Sequence, residues 1–115
     1  MIVDEEKLRS HFEGDEEMIA DLIDIYVESY PDIMERLKRG IAEKDFKEIE
    51  LQAHTIKGVL LNFFAVELVE VAAKIEVLGH KESDADISTL YEVLELKISK
   101  VANEVKKIFG VDSSE

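Results

Sequence analysis

Apolar residues recur at spacings of three and four along almost the whole chain, and that periodicity commits it to helices. No run of strict alternation is long enough to build a sheet. Glycine and proline number only five and one in 115 residues, so few positions can interrupt the pattern. A short first helix is expected from about Asp4 to Phe12, broken by Gly14. Asp15 is placed to cap a second helix carrying Ile19, Leu22, Tyr26, Tyr30, Ile33, Leu37 and Ile41. That stripe keeps its register across Pro31. A proline inside a helix removes one backbone hydrogen bond and bends the helix. The unbroken register therefore predicts one kinked long helix rather than two.

Asp45 opens a third helix, forming a capping-box-like pair with Glu48. Its core stripe is Phe46, Ile49, Ala53, Ile56 and Leu60. A fourth helix is expected from about Ala65 to Leu78, with Leu68, Ala72 and Ile75 inward and Gly79 as its stop. Ser83 or Asp86 is expected to cap the last helix, whose stripe runs from Ile87 to Ile108 and closes at Gly110. Val111 to Glu115 forms a tail. Four long amphipathic helices with short connections predict an all-α fold, an antiparallel four-helix bundle with the short first helix covering one end. The length suits a single domain over residues 1–115, with its core at about residues 4–109.

The formal net charge of -13 argues against nucleic acid or an anionic membrane surface as a partner. It suits a protein partner with a basic rim. The absence of cysteine excludes disulfides and thiolate metal sites, and fits a reducing compartment. Met1 to Glu6 contains three acids and no apolar run, unlike a signal peptide. The longest apolar stretches, such as Val59-Leu60-Leu61, are too short to span a membrane. A cytoplasmic protein is expected.

On a wheel of 100° per residue, His54 lies about 120° from the centre of the third helix's core stripe. That places it at the rim, with Lys47, Glu50, Leu51, Lys57, Gly58 and Leu61 on the same face. Lys57, one turn on, can balance a negative charge carried on the ring. It also disfavours the imidazolium, while Glu50, one turn back, favours it, so the two charges oppose each other. Gly58 removes the side chain that would shadow the ring. A mid-helix glycine costs about 1 kcal/mol relative to alanine, and close approach of a partner is a reason to bear that cost. Leu51 and Leu61 supply apolar surface that a docking protein can cover. His11 and His80 have no lysine–glycine neighbourhood and are given no chemical role. No second histidine stands one turn from His54, which argues against a metal site there.

The run from Gln52 to Leu68, QAHTIKGVLLNFFAVEL, resembles the motif of histidine phosphotransfer (HPt) domains. In that family a histidine is followed two residues later by Lys-Gly, then by an apolar-rich stretch, Gly-Ala and a leucine. His54, Lys57, Gly58, Ala65 and Leu68 fall on the pattern. The resemblance implies that His54 is the phosphorylated residue, reacting through Nε2. It further implies that the domain takes the phosphoryl group from an aspartate of a receiver domain and passes it to another, as a phosphocarrier without kinase activity of its own. The receiver would supply Mg²⁺ and the catalytic groups. No cofactor is expected, since no Gly-rich phosphate loop is present. Receiver domains of response regulators or hybrid histidine kinases are the implied partners, and a monomer is expected.

One position departs from the family pattern. Phe64 stands where glycine normally eases the turn into the fourth helix, and its wheel angle matches that of Phe46. The third helix is therefore expected to run about a turn longer, with Phe64 packed into the bundle end. Two alternatives share the motif: a helical adaptor that binds a receiver without phosphotransfer, and the phosphoacceptor domain of a chemotaxis-type histidine kinase. The Met1 start leans towards a free-standing protein rather than a fragment of a larger kinase.

Overall fold

The apolar periodicity is realised as helix wherever it occurs. The computed structural model describes residues 1–110 and contains α1 (Glu5–Phe12), α2 (Glu16–Glu43), α3 (Phe46–Leu61), α4 (Val66–His80) and α5 (Ile87–Phe109). No strand occurs among the described residues. The tail expected at Val111–Glu115 lies outside them. α2 runs unbroken for 28 residues through Pro31, as the register required.

Each long helix packs against two of the others, closing a ring in the order α2, α3, α4, α5. Contacts from either end of the helices make neighbours antiparallel. The buried Tyr26 hydroxyl donates to the Ile98 carbonyl at 2.6 Å, and Tyr91 reaches the Met34 carbonyl at 3.4 Å, so α2 and α5 run in opposite directions. The stripes meet on the bundle axis, where Leu37, Ala53, Ile56, Leu60, Leu68, Ala72, Ile75 and Leu94 are fully buried.

Local signals set most of the helix starts. Asp4, Asp15 and Asp45 each accept a hydrogen bond from the backbone N–H three residues on, at 3.1, 3.1 and 3.2 Å. Only half of the expected capping box forms. The Glu48 carboxylate accepts from Gln52 Nε2 at 3.1 Å instead of reaching back. The start of α5 departs further from expectation. Neither Ser83 nor Asp86 caps it through a side chain: Asp86 occupies the N-cap in a left-handed conformation, and Ser83 Oγ accepts from Ala85 N.

α1 closes one end of the bundle. The Glu104 carboxylate accepts from Ile2 N and Val3 N at 2.8 and 3.0 Å, Arg9 donates to the Ile108 carbonyl at 2.9 Å, and Asp4 N donates to the Phe64 carbonyl at 3.1 Å. Phe12 and Leu8 are buried beneath it.

Two expectations about helix ends are corrected. α3 does not run an extra turn: it stops at Leu61, and successive turn bonds from Asn62, Phe63 and Phe64 wind the chain down to Ala65. Phe63, not Phe64, fills the bundle end, at 1 % exposure and edge-on to Tyr26 at 5.2 Å. Phe64 takes the left-handed conformation itself, at φ 53°, in the place where the family pattern has glycine. Its ring lies half-buried against His11 at 5.7 Å. Gly79 does not end α4, which continues through His80.

Candidate functional site

Burial of Ala53, Ile56 and Leu60 orients α3, and that orientation leaves His54 on the outside of the α3–α4 seam. The His54 side chain is 66 % exposed, so it lies further out than the rim position read from the wheel. α4 runs antiparallel beside it. Glu76, next in sequence to the buried Ile75, crosses the seam to meet it. Its Oε2 lies 2.9 Å from His54 Nδ1, and its Oε1 lies 2.7 Å from Lys57 Nζ. One carboxylate therefore holds two side chains of α3 that stand one turn apart.

The electrostatics follow from that bridge. The hydrogen bond from the Lys57 ammonium holds the Glu76 carboxyl below its ordinary range; partial burial opposes this, and the contact with His54 adds to it. An ionised carboxylate can only accept. In the neutral ring Nδ1 must then carry the proton, which leaves the Nε2 lone pair for an incoming electrophile.

The surroundings are open. A Cβ added to Gly58 would meet nothing within 4 Å, so the clearance expected at that position exists. Leu51 and Leu61 are 56 % and 53 % exposed. A shallow concavity of about 480 Å³ is lined by Lys47, Glu50, Leu51, His54 and Glu76. The structure thus gathers four of the residues named from sequence around one hollow. Lys57, Gly58 and Leu61 lie outside its lining, further along α3.

Two residues at this face were not anticipated. Glu76 is the carboxylate that meets the imidazole, and Glu50, whose charge was expected to favour the imidazolium, turns to His80 instead, with Oε2 3.1 Å from His80 Nδ1. His80, given no role from sequence, therefore stands on the same seam one turn from Glu76. Sequence offered one weak signal for Glu76: it adjoins the inward stripe of the fourth helix. Nothing local showed that this side would face His54. His11 stays a packing residue, edge-on to Phe12 at 4.6 Å and to Phe64. Among the described residues no group of three or more His, Asp or Glu side chains is placed to hold a metal ion, and no helix is long and apolar enough to cross a membrane.

A family model, the Hpt domain, matches residues 21–104, which span α2 to most of α5. The chain belongs to the Hpt domain family. Histidine phosphotransfer in a phosphorelay is accordingly its general function, and receiver domains are the class of protein with which such domains interact. No significant match came from curated proteins or from solved structures. The matched segment contains the whole α3–α4 seam, so the fold that the family model identifies is also the scaffold that positions His54 and Glu76.

Proposed function

We propose that His54 carries the phosphoryl group of this Hpt domain, exchanging it at Nε2 with the aspartates of receiver domains, and that the chain 1–115 works as one such unit. The observation that carries this reading is the 2.9 Å contact between His54 Nδ1 and the Glu76 carboxylate. It keeps the proton on Nδ1, so Nε2 is the nucleophile. In the forward step Nε2 attacks the phosphorus of the aspartyl phosphate. The N–P bond forms as the acyl P–O bond breaks, and the aspartate leaves as a carboxylate. Positive charge develops on the ring during attack, and Glu76, already aligned, stabilises it without reorganisation. Lys57 has three donors and uses one on Glu76 at 2.7 Å, which leaves donors for phosphoryl oxygens.

The chain contributes a positioned nucleophile and an open face rather than a nucleotide site, so proximity carries the chemistry. Leu51, Leu61, Lys47 and Glu50 frame the approach. Gly58 keeps one flank of the ring clear. The test is His54→Gln, incubated with a receiver labelled on its aspartyl phosphate. Wild type is expected to take up acid-labile label, and the variant to take up none while keeping wild-type helicity. Label retained on the variant would place the acceptor elsewhere.

A further inference from the structure

The seam that brings Glu76 to His54 is held closed one turn away by Gly79. An ideal Cβ at Gly79 would stand 2.9 Å from Glu50 N, 3.1 Å from Glu50 Cα and 3.2 Å from Ile49 Cγ2. Two of those atoms are backbone, which cannot rotate aside. α3 and α4 would have to separate by about half an ångström to restore ordinary contact. A glycine within a helix weakens it, and Gly79 lies in the last turn of α4, ahead of Lys81 at the C-cap. It does not take a left-handed backbone conformation. Close approach of α3 is thus the reason that the structure gives for glycine here.

The geometry ties that approach to the site. Gly79 lies three residues after Glu76, and Glu50 lies four residues before His54, so this close approach adjoins the carboxylate–imidazole contact on both helices. We propose that Gly79 is a positioning residue for phosphotransfer: by letting α4 touch the α3 backbone at Glu50, it sets the reach of Glu76 and hence which nitrogen of His54 is the nucleophile. This rests on the reading of His54 as the phosphoacceptor. Gly58 and Gly79 then have opposite uses. The first leaves space outside the seam, where nothing stands within 4 Å, and the second abolishes space within it.

The test uses the unphosphorylated full chain with ¹⁵N-labelled imidazoles, and phosphoramidate as a small phosphodonor that needs no docking. Nε2 of His54 attacks phosphorus, the N–P bond of the donor breaks, and ammonia leaves. In Gly79→Ala the share of His54 bearing its proton on Nδ1 is expected to fall, and phosphoryl uptake to slow roughly tenfold, in keeping with the sensitivity of reactions to sub-ångström to ångström misplacement. In a Glu76→Ala background the same glycine substitution should change neither quantity. A folded Gly79→Ala protein with the wild-type tautomer overturns the inference, as does a further change in the Glu76→Ala background. Should Gly79→Ala not fold, Glu76→Asp withdraws the carboxylate without touching the backbone approach at Gly79. It should shift the tautomer in the same direction, and an unmoved tautomer there overturns the inference equally. Failure of wild-type His54 to take phosphate would sink the proposed function instead, and leaves the tautomer measurement readable.

Discussion

Gly58 and Glu76 show how single positions divide stability from access. Gly58 is helical, and a Cβ there meets nothing within 4 Å, so Gly58→Ala should stabilise the fold by up to about 1 kcal/mol. The added methyl projects into the open space one turn from His54 that a docking partner would enter, so transfer from a docked receiver should slow while the denaturation midpoint rises. Equal transfer rates for variant and wild type would show that the open space is not used by the partner. Glu76 has the opposite balance. Its carboxyl is held below the ordinary range chiefly by the Lys57 hydrogen bond, with His54 contributing, so its stabilising share is fully present above the unfolded carboxyl value. That share is lost as pH falls through the depressed folded value. Glu76→Gln should therefore destabilise by about 1 kcal/mol at neutral pH, the upper range for a pair near the surface. Thermal melts at falling pH should show the gap to wild type closing in acid, and a gap constant with pH would contradict it. His54, Lys57 and Gly58 were legible because they are local to one helix. Glu76 was not, because its partner stands 22 residues away and no periodicity reports which side of a helix meets which neighbour.

At the scale of elements, α2 was readable through Pro31 because seven apolar positions hold one register on both sides of it, and tertiary packing of that face outweighs one lost hydrogen bond. Helix ends were less readable. A glycine near the end of an apolar stripe marks a stop or a close contact equally well, and only the α3 backbone beside Gly79 distinguishes them. The α3–α4 turn was misread for a related reason. Wheel angle placed Phe64 inward, but the chain leaves the helix at Leu61, so the wheel no longer applies and Phe63 enters the core. The two phenylalanines should respond differently. Phe63→Ala removes a side chain only 1 % exposed and should cost about 3–5 kcal/mol. Phe64→Gly relieves a left-handed backbone, worth roughly 1–2 kcal/mol, while losing a half-buried ring beside His11. Its net effect should be much the smaller in chemical denaturation. A Phe64→Gly loss as large as that of Phe63→Ala would mean that the ring, and not the turn, dominates at that position.

The whole molecule is a strongly acidic rod of 44 × 26 × 19 Å, with 27 acidic against 14 basic side chains. Two electrostatic effects of opposite sign act on its stability. Ion pairs such as Arg36–Asp32, Arg39–Glu35 and Lys97–Glu67 stabilise it and weaken as salt screens them. Repulsion among the excess carboxylates destabilises it, and weakens likewise. The first set is exposed, with side chains between 35 % and 68 % accessible, where each pair contributes at most about 1 kcal/mol and often less. The second acts between many charges at once. At about 10 mM ionic strength the screening length of about 30 Å spans most of the rod, and by about 1 M it has shrunk to about 3 Å. Repulsion therefore loses more than the short pairs do. The melting temperature should rise as sodium chloride is raised between those limits, and a fall would mean that the local pairs outweigh the net charge. Association with a receiver should move the other way. A partner that meets this acidic surface with a basic rim is steered to it by long-range attraction, so its association rate should drop over the same salt range. Stopped-flow mixing at several salt concentrations reads that directly, and a rate independent of salt would assign docking to the apolar Leu51–Leu61 face rather than to charge.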